Sequence, residues 1–192
     1  MTEQDMLDMY EEAGALLNGH FVLSSGRHSA RYLQSALVLM RPSNATALAT
    51  ALIQDIDPDA YDMVVAPAIG GLVIGQEVAR QLDKPFIFTE RKEGEMLMRR
   101  GFSIPAETRL LVVEDVITTG GSVRECIAVV REHGGKPTKI LAVVDRAPQQ
   151  QGRFDIPHHT VIALDVETFA QEDCPMCQAG TAAIKPGSRG NG

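Results

Sequence analysis

The sequence predicts an α/β fold with a mainly parallel sheet flanked by helices and a small amino-terminal appendage. Three observations carry that reading. Short apolar runs alternate with amphipathic stretches between residues 42 and 164. The runs are continuously apolar, as strands covered on both faces are. A hairpin-like segment of different pattern precedes them, near residues 19–33.

Taken in order, Thr2 can cap a helix with Asp5 three residues on, and Met6, Met9, Tyr10, Ala13, Leu16 and Leu17 recur at helical spacing. The first helix is therefore expected to end near Asn18-Gly19. Phe21-Val22-Leu23 then meets the polar turn Ser24-Ser25-Gly26, and Arg31-Tyr32-Leu33 follows, which reads as a hairpin. A helix is expected after Pro42-Ser43. Strands are expected at Met63–Ala66, Phe86–Phe88, Leu110–Val113, Ile140–Val144 and Val161–Leu164, with helices at Leu72–Leu82 and Val123–Glu132. The expectation is a single domain over residues 1–192 with its core at about 43–165. A small, polar, disordered tail is expected from about residue 186.

Bulk properties narrow the function. With 192 residues, 44% hydrophobic and 22% charged, the chain suits one globular domain with a sizeable core. A formal charge of -7 argues against a general binder of nucleic acid or membrane surfaces, which would repel it. Anionic small substrates stay open if basic residues gather locally. The acidic stretch Met1–Tyr10 lacks the pattern of an export signal, and no apolar run has the length of a bilayer span. Three cysteines make a disulfide framework improbable, so a cytoplasmic protein is expected.

The most informative stretch is Leu110-Leu111-Val112-Val113-Glu114-Asp115-Val116-Ile117-Thr118-Thr119-Gly120-Gly121-Ser122. It is an apolar strand ending in two acids, then a hydroxyl- and glycine-rich loop, then a helix. In an open α/β sheet the carboxyl ends of strands face the ligand crevice, so Glu114 and Asp115 are delivered to a site where they can accept hydrogen bonds from sugar hydroxyls. Gly120 and Gly121 let the backbone wrap an anion, Thr118, Thr119 and Ser122 add hydroxyls, and the helix offers its unpaired N–H groups. That is a phosphate cradle. No lysine follows the glycines and G-x-G-x-x-G is absent, so it is neither a Walker loop nor a dinucleotide fingerprint. The bland alternative is a tight strand-to-helix turn with incidental acids.

This stretch resembles the PRPP-binding signature of the type I phosphoribosyltransferases, which implies that family's fold. The resemblance assigns the ribose hydroxyls to Glu114 and Asp115 and the 5′-phosphate to Thr118, Thr119, Gly120, Gly121 and Ser122, with Val116 and Ile117 between them. A second glycine pair, Gly70-Gly71 after Ala68-Ile69, is similar to the family's pyrophosphate loop, although close helix packing explains such glycines too. Phe21 to Ser29 with Tyr32 looks like the amino-terminal hood of orotate phosphoribosyltransferases. The resemblance then implies that orotate is held by Ser25, Gly26, Tyr32, Thr118 and Arg146. It is joined to the ribose phosphate of PRPP with release of pyrophosphate, giving orotidine 5′-phosphate for pyrimidine synthesis. Arginine at position 146 can meet a carboxylate with a planar fork of donors. Magnesium is the implied cofactor, carried chiefly by PRPP oxygens and water, with no dedicated protein ligand.

Arg91 and Lys92 match the basic pair that in the family opens a mobile loop over the pyrophosphate and reaches the neighbouring subunit. The resemblance therefore implies a homodimer with shared sites and a catalytic role for Lys92 beside Glu114 and Asp115. The bland reading is a solvated charge run. This loop is shorter than in the better-known members and lacks their second lysine and histidine, a gap that Arg99 or Arg100 could fill. The tail, with Cys174-Pro175-Met176-Cys177 and Ile184-Lys185-Pro186-Gly187-Ser188-Arg189, looks like that of a shorter bacterial and archaeal branch, and no catalysis is assigned to it. A lone C-x-x-C can be redox active or half a zinc site. With no second ligand pair at suitable spacing it is read as a turn with free thiols. The histidines His20, His28, His133, His158 and His159 form no recognisable ligand set. Two other functions stay open: a transferase for a purine or another base, and a PRPP-sensing regulator without catalysis.

Overall fold

The computed structural model describes residues 1–23 and 25–186. Ser24 and the part of the expected disordered tail beyond Pro186 lie outside the described residues. Helix α1 (Glu3–Glu12) opens with the expected capping box: Thr2 Oγ1 accepts from the Asp5 amide at 3.2 Å and the Thr2 amide donates to Asp5 at 2.7 Å. The helix stops well before Asn18, correcting the sequence expectation. Gly14 turns the chain at a φ of 62°, and Leu16 and Leu17 leave the helix to pair with Leu33 and Tyr32. They belong to β1 (Leu16–Val22), which pairs antiparallel with β2 (His28–Leu33). A two-residue strand, β9 (Thr168–Phe169), completes a three-stranded sheet in the order β1-β2-β9.

The larger sheet has six strands: β3 (Met63–Pro67), β4 (Phe86–Lys92), β5 (Glu95–Met98), β6 (Arg109–Ile117), β7 (Lys136–Asp145) and β8 (His158–Ala163). Their order is β5-β4-β3-β6-β7-β8, parallel except for β5. Period-two alternation sorts its side chains into two cores. Val64, Leu111, Val113, Leu141 and Val143 face α1, α2 (Ser35–Leu39), α3 (Pro42–Leu52) and α4 (Gly71–Leu82). Val65, Leu110, Val112, Ile140 and Ala142 face α5 (Gly121–Glu132). All ten are fully buried, so the sheet is held from both sides by apolar burial, roughly 1.5–3 kcal/mol for each large side chain.

Strand β4 runs four residues beyond its expected end. Through the turn Glu93-Gly94, both residues at positive φ, it forms a hairpin with β5 in which Lys92 faces Glu95. The basic pair thus lies on a paired hairpin rather than on an open loop. Beyond β9, Cys174 caps a short helix, α6 (Pro175–Gln178), and the chain returns to β1. There the Val22 amide donates to the Ile184 carbonyl and the Ile184 amide to the His20 carbonyl, each at 2.8 Å.

Candidate active site

The strand order reverses at β3: the chain goes outward from β3 to β4, then crosses to β6 on its other side. The connections leaving β3 and β6 therefore diverge and open a crevice at the carboxyl ends of the strands. A cleft of about 700 Å³ occupies this place, and the hood turn and the segment at Lys185 overhang it. Helices α4 and α5 both begin here, after Gly70 and Gly120, and neither has a side-chain cap. Their first N–H groups are left for an anion in the cleft.

Glu114 and Asp115 stand at the floor. The Asp115 amide donates to Glu114 Oε1 at 3.2 Å and the Val116 amide to Asp115 Oδ1 at 2.8 Å. Burial pushes the Glu114 carboxyl well above the ordinary range, and the neighbouring Asp115 charge adds to it. Asp115 is also raised by burial, but hydrogen bonds from Glu114 and the Val116 amide work against the shift. Gly70 closes over it: a Cβ there would stand 2.5 Å from Asp115 Oδ1, so only glycine lets the α4 loop approach the acids.

Arg146 leaves the end of β7 and crosses to the hood, its Nη2 donating to the Arg31 carbonyl at 3.1 Å and lying 3.4 Å from Ser29 Oγ. Its Nε is buried without a partner. Burial lowers the guanidinium pKa, yet arginine stays charged. Tyr32 lies on the same wall, its ring 5.7 Å from Phe21, and burial followed by the Asp115 charge raises its hydroxyl pKa.

Residues 41–171 match the phosphoribosyl transferase domain family. The orotate phosphoribosyltransferase of Caldicellulosiruptor bescii is 45% identical over 191 residues, 98% of this chain and 99% of the relative. That of Sphingopyxis alaskensis is 46% identical over 192 residues, 98% of each. The chain belongs to the orotate phosphoribosyltransferases. Among solved structures, the orotate phosphoribosyltransferase from Aeropyrum pernix superposes with a TM-score of 0.68 at 30% identity, over 83% of this chain and 93% of that one. Adenine phosphoribosyltransferase from Rhodothermus marinus shares the fold alone, with a TM-score of 0.66 at 20% identity over 84% and 99% of the two chains.

Within this orotate phosphoribosyltransferase fold, Ser25, Tyr32, Ala68, Gly70, Arg91, Glu114, Asp115, Val116, Thr118, Thr119, Gly121, Ser122 and Arg146 line the cleft. The other candidates stand off its wall. Gly26 is at the exposed hood turn and Ile69 is 77% exposed. Gly71 is buried in the first turn of α4, Ile117 is buried in the core beside α5, and Gly120 packs against Phe154. Lys92 is exposed, its ammonium 4.0 Å from Glu93 and outside its own chain's cleft. Arg99 and Arg100 are both held by Glu90, and neither reaches the cleft.

Sequence reasoning missed several neighbours. Lys185 lines the cleft although its segment was given no part in the site. Gln34 and Ser35, just beyond the hood, line it too. Arg91 is paired with Glu125 of α5. Beneath the loop that leads into α5 a buried ion pair joins Arg153 to Asp145, and Arg153 also donates to the Thr118 carbonyl at 3.3 Å. The histidine expectation is corrected as well: His20 and His28 meet Cys174 and Cys177 in one cluster.

Proposed function

We propose that this cleft transfers the 5-phosphoribosyl group of PRPP to orotate, giving orotidine 5′-phosphate and pyrophosphate for pyrimidine synthesis. The observation that carries the reading is Arg146, a buried guanidinium with a donor unspent, set opposite the strand-end acids at the seam with the hood. A planar carboxylate-bearing base suits that fork, and the ribose of PRPP suits Glu114 and Asp115.

The chemistry is electrostatic. As the bond from the anomeric carbon to pyrophosphate breaks ahead of bonding to the base, the ribose turns cation-like, and the charge on Asp115 is worth more to it than to the ground state. The ribose hydroxyls donate to oxygens of the two acid side chains, the uncapped start of α5 takes the 5′-phosphate, and Gly70 with the start of α4 takes the pyrophosphate. Arg91 supplies positive charge to the leaving group once it exchanges Glu125 for it. The cleft walls offer carboxylates, hydroxyls and carbonyls and, among the described residues, no imidazole or thiol. Such an oxygen set fits Mg²⁺, which bound with PRPP would neutralise the departing pyrophosphate.

A homodimer with shared sites is part of this reading. The place of Lys92, on a hairpin and off its own cleft, suits service to a second chain's pyrophosphate. The three unpaired cysteines and the want of any helix able to cross a membrane among the described residues agree with a cytoplasmic protein.

Incubation with PRPP, Mg²⁺ and orotate should consume orotate absorbance, whereas adenine, uracil and xanthine should be inert. Turnover of one of those bases in place of orotate would overturn the assignment. For the dimer, inactive Asp115→Asn and Lys92→Ala chains are refolded together. If Lys92 acts across the interface, half the dimers are mixed and carry one intact site, so activity returns to about a quarter of wild type. A mixture proven to hold heterodimers yet inactive would place Lys92 in its own chain's service.

A further inference from the structure

We propose that His20, His28, Cys174 and Cys177 form a closed structural zinc site that staples the hood to the C-terminal segment. The four residues come from β1, β2 and the two ends of the C-x-x-C at α6. The histidine pair and the cysteine pair lie 149 to 157 positions apart where they touch, which is why no spacing motif announces the set. Their ligand atoms all lie within 4.8 Å of one another, and all but Cys177 are buried.

The geometry points to a cation rather than to mutual hydrogen bonding. His20 Nε2 has three close neighbours: His28 Nδ1 at 2.7 Å, Cys174 Sγ at 3.6 Å and Cys177 Sγ at 3.7 Å. Cys177 Sγ is also 3.4 Å from His28 Nδ1. An imidazole nitrogen has one lone pair or one N–H and can serve only one of these neighbours. A central metal serves all four ligands at once. With Zn–S near 2.3 Å and Zn–N near 2.0–2.1 Å, the edges of a tetrahedron come to about 3.3–3.8 Å. The nitrogen–sulfur separations of 3.4–3.7 Å fall in that range. The nitrogen–nitrogen edge, 2.7 Å, must open, and the remaining ligand atoms, all within 4.8 Å of one another, draw in around the ion through small side-chain rotations.

The surroundings agree. His20 Nδ1 lies 3.0 Å from the Thr181 carbonyl, so a proton held there leaves the Nε2 lone pair facing the cluster. Two thiolates and Zn²⁺ sum to zero, a neutral centre that tolerates burial. The S₂N₂ donor set favours zinc among common divalent metals, and four protein ligands leave no open position for catalysis. The role is mechanical. The three-stranded sheet has a third strand of two residues, and a metal gives so small a unit the anchor that its core does not. From this anchor Leu23 and Ser25 on one side and Lys185 on the other reach the cleft wall.

The test begins with wild-type protein purified under reducing conditions without chelator. It should carry about one zinc per chain by mass-spectrometric metal analysis. Exchange with Co²⁺ should give the visible bands of a tetrahedral site together with intense near-ultraviolet thiolate-to-cobalt charge transfer. An organomercurial thiol reagent should release the zinc, and removal should open Arg27 and Arg31 to trypsin, with protection returning on adding Zn²⁺. Cys174→Ser and Cys177→Ser should each lose most of the metal, whereas His133→Ala keeps it. The wild-type arms stand even if those variants misfold. Metal-free wild type that takes up neither Zn²⁺ nor Co²⁺, cobalt spectra without thiolate bands, or a Cys174–Cys177 disulfide in the active enzyme would each overturn the site. Unchanged trypsin sensitivity would overturn the staple.

Discussion

The two sheets of this molecule are held together by different means. In the six-stranded sheet, Val64, Val65, Leu110 to Val113 and Ile140 to Val144 are buried without exception, and helices cover both faces. The three-stranded sheet buries His20, His28, Ser29 and Cys174 beside a few apolar side chains. Apolar burial is non-directional and tolerant, whereas hydrogen bonds and ligand bonds fix positions one at a time. On the proposed reading, the half of the cleft that would face ribose and phosphates therefore rests on a packed core, and the half that would face the base rests on point contacts. Arg146 spans the two. A defect in the first half should strike the chemical step, and one in the second should strike recognition of the base.

The sharpest way to break that division is Asp115→Asn, which removes charge from the core side without changing shape. kcat should fall about 100-fold or more while PRPP affinity, measured by titration, changes far less. Equal losses in both would assign Asp115 to binding alone. On the seam, Arg146→Lys keeps a charge but loses the planar fork, and the KM for orotate should rise about tenfold with that for PRPP nearly unchanged. A selective rise for PRPP would move Arg146 to the phosphate half.

Glu114→Gln probes the cost of burying an acid. The folded protein holds the Glu114 proton more tightly than the unfolded chain does, so folded stability is lost as pH climbs from the ordinary carboxylate range through the raised pKa. The variant escapes that loss. Its melting temperature, without ligands, should match wild type in mild acid and exceed it by about 2–4 °C at mildly alkaline pH. Equal melting at both ends of the range would show that burial of Glu114 costs nothing. The smallest effect belongs to Thr2→Ala, far from both halves of the cleft. Loss of the capping box should cost about 0.5–1 kcal/mol in thermal or urea unfolding and leave kcat and both KM values alone.

The same contrast explains what the sequence revealed. Leu110 to Ser122 announces itself because a buried parallel strand must be apolar throughout and its ligand end must change character abruptly at Glu114. The alternation of strands and helices was legible for the same reason, with boundaries a few residues short at β4 and β7. Leu16 and Leu17 misled because three- and four-residue spacing also fits a strand reached through a glycine turn, and only pairing with Tyr32 and Leu33 decides between them. Lys185 and the Arg153–Asp145 brace were not legible at all, and of the histidine–cysteine cluster only the C-x-x-C half was. Each depends on contacts between residues remote in sequence, and no local pattern records them.

The return of Ile184 to β1 bears on the order in which the protein is made. Residues 63–163 contain every strand of the large sheet, so that core can close while the chain is still leaving the ribosome. The hood strands emerge before any of it, yet β2 lacks its partner Phe169, and His20 and His28 lack their cysteines, until translation has passed residue 177. The first-made part of the site is thus the last to be finished, and a nascent chain can form the strand-end acids and the loop before α5 ahead of the hood side of its cleft.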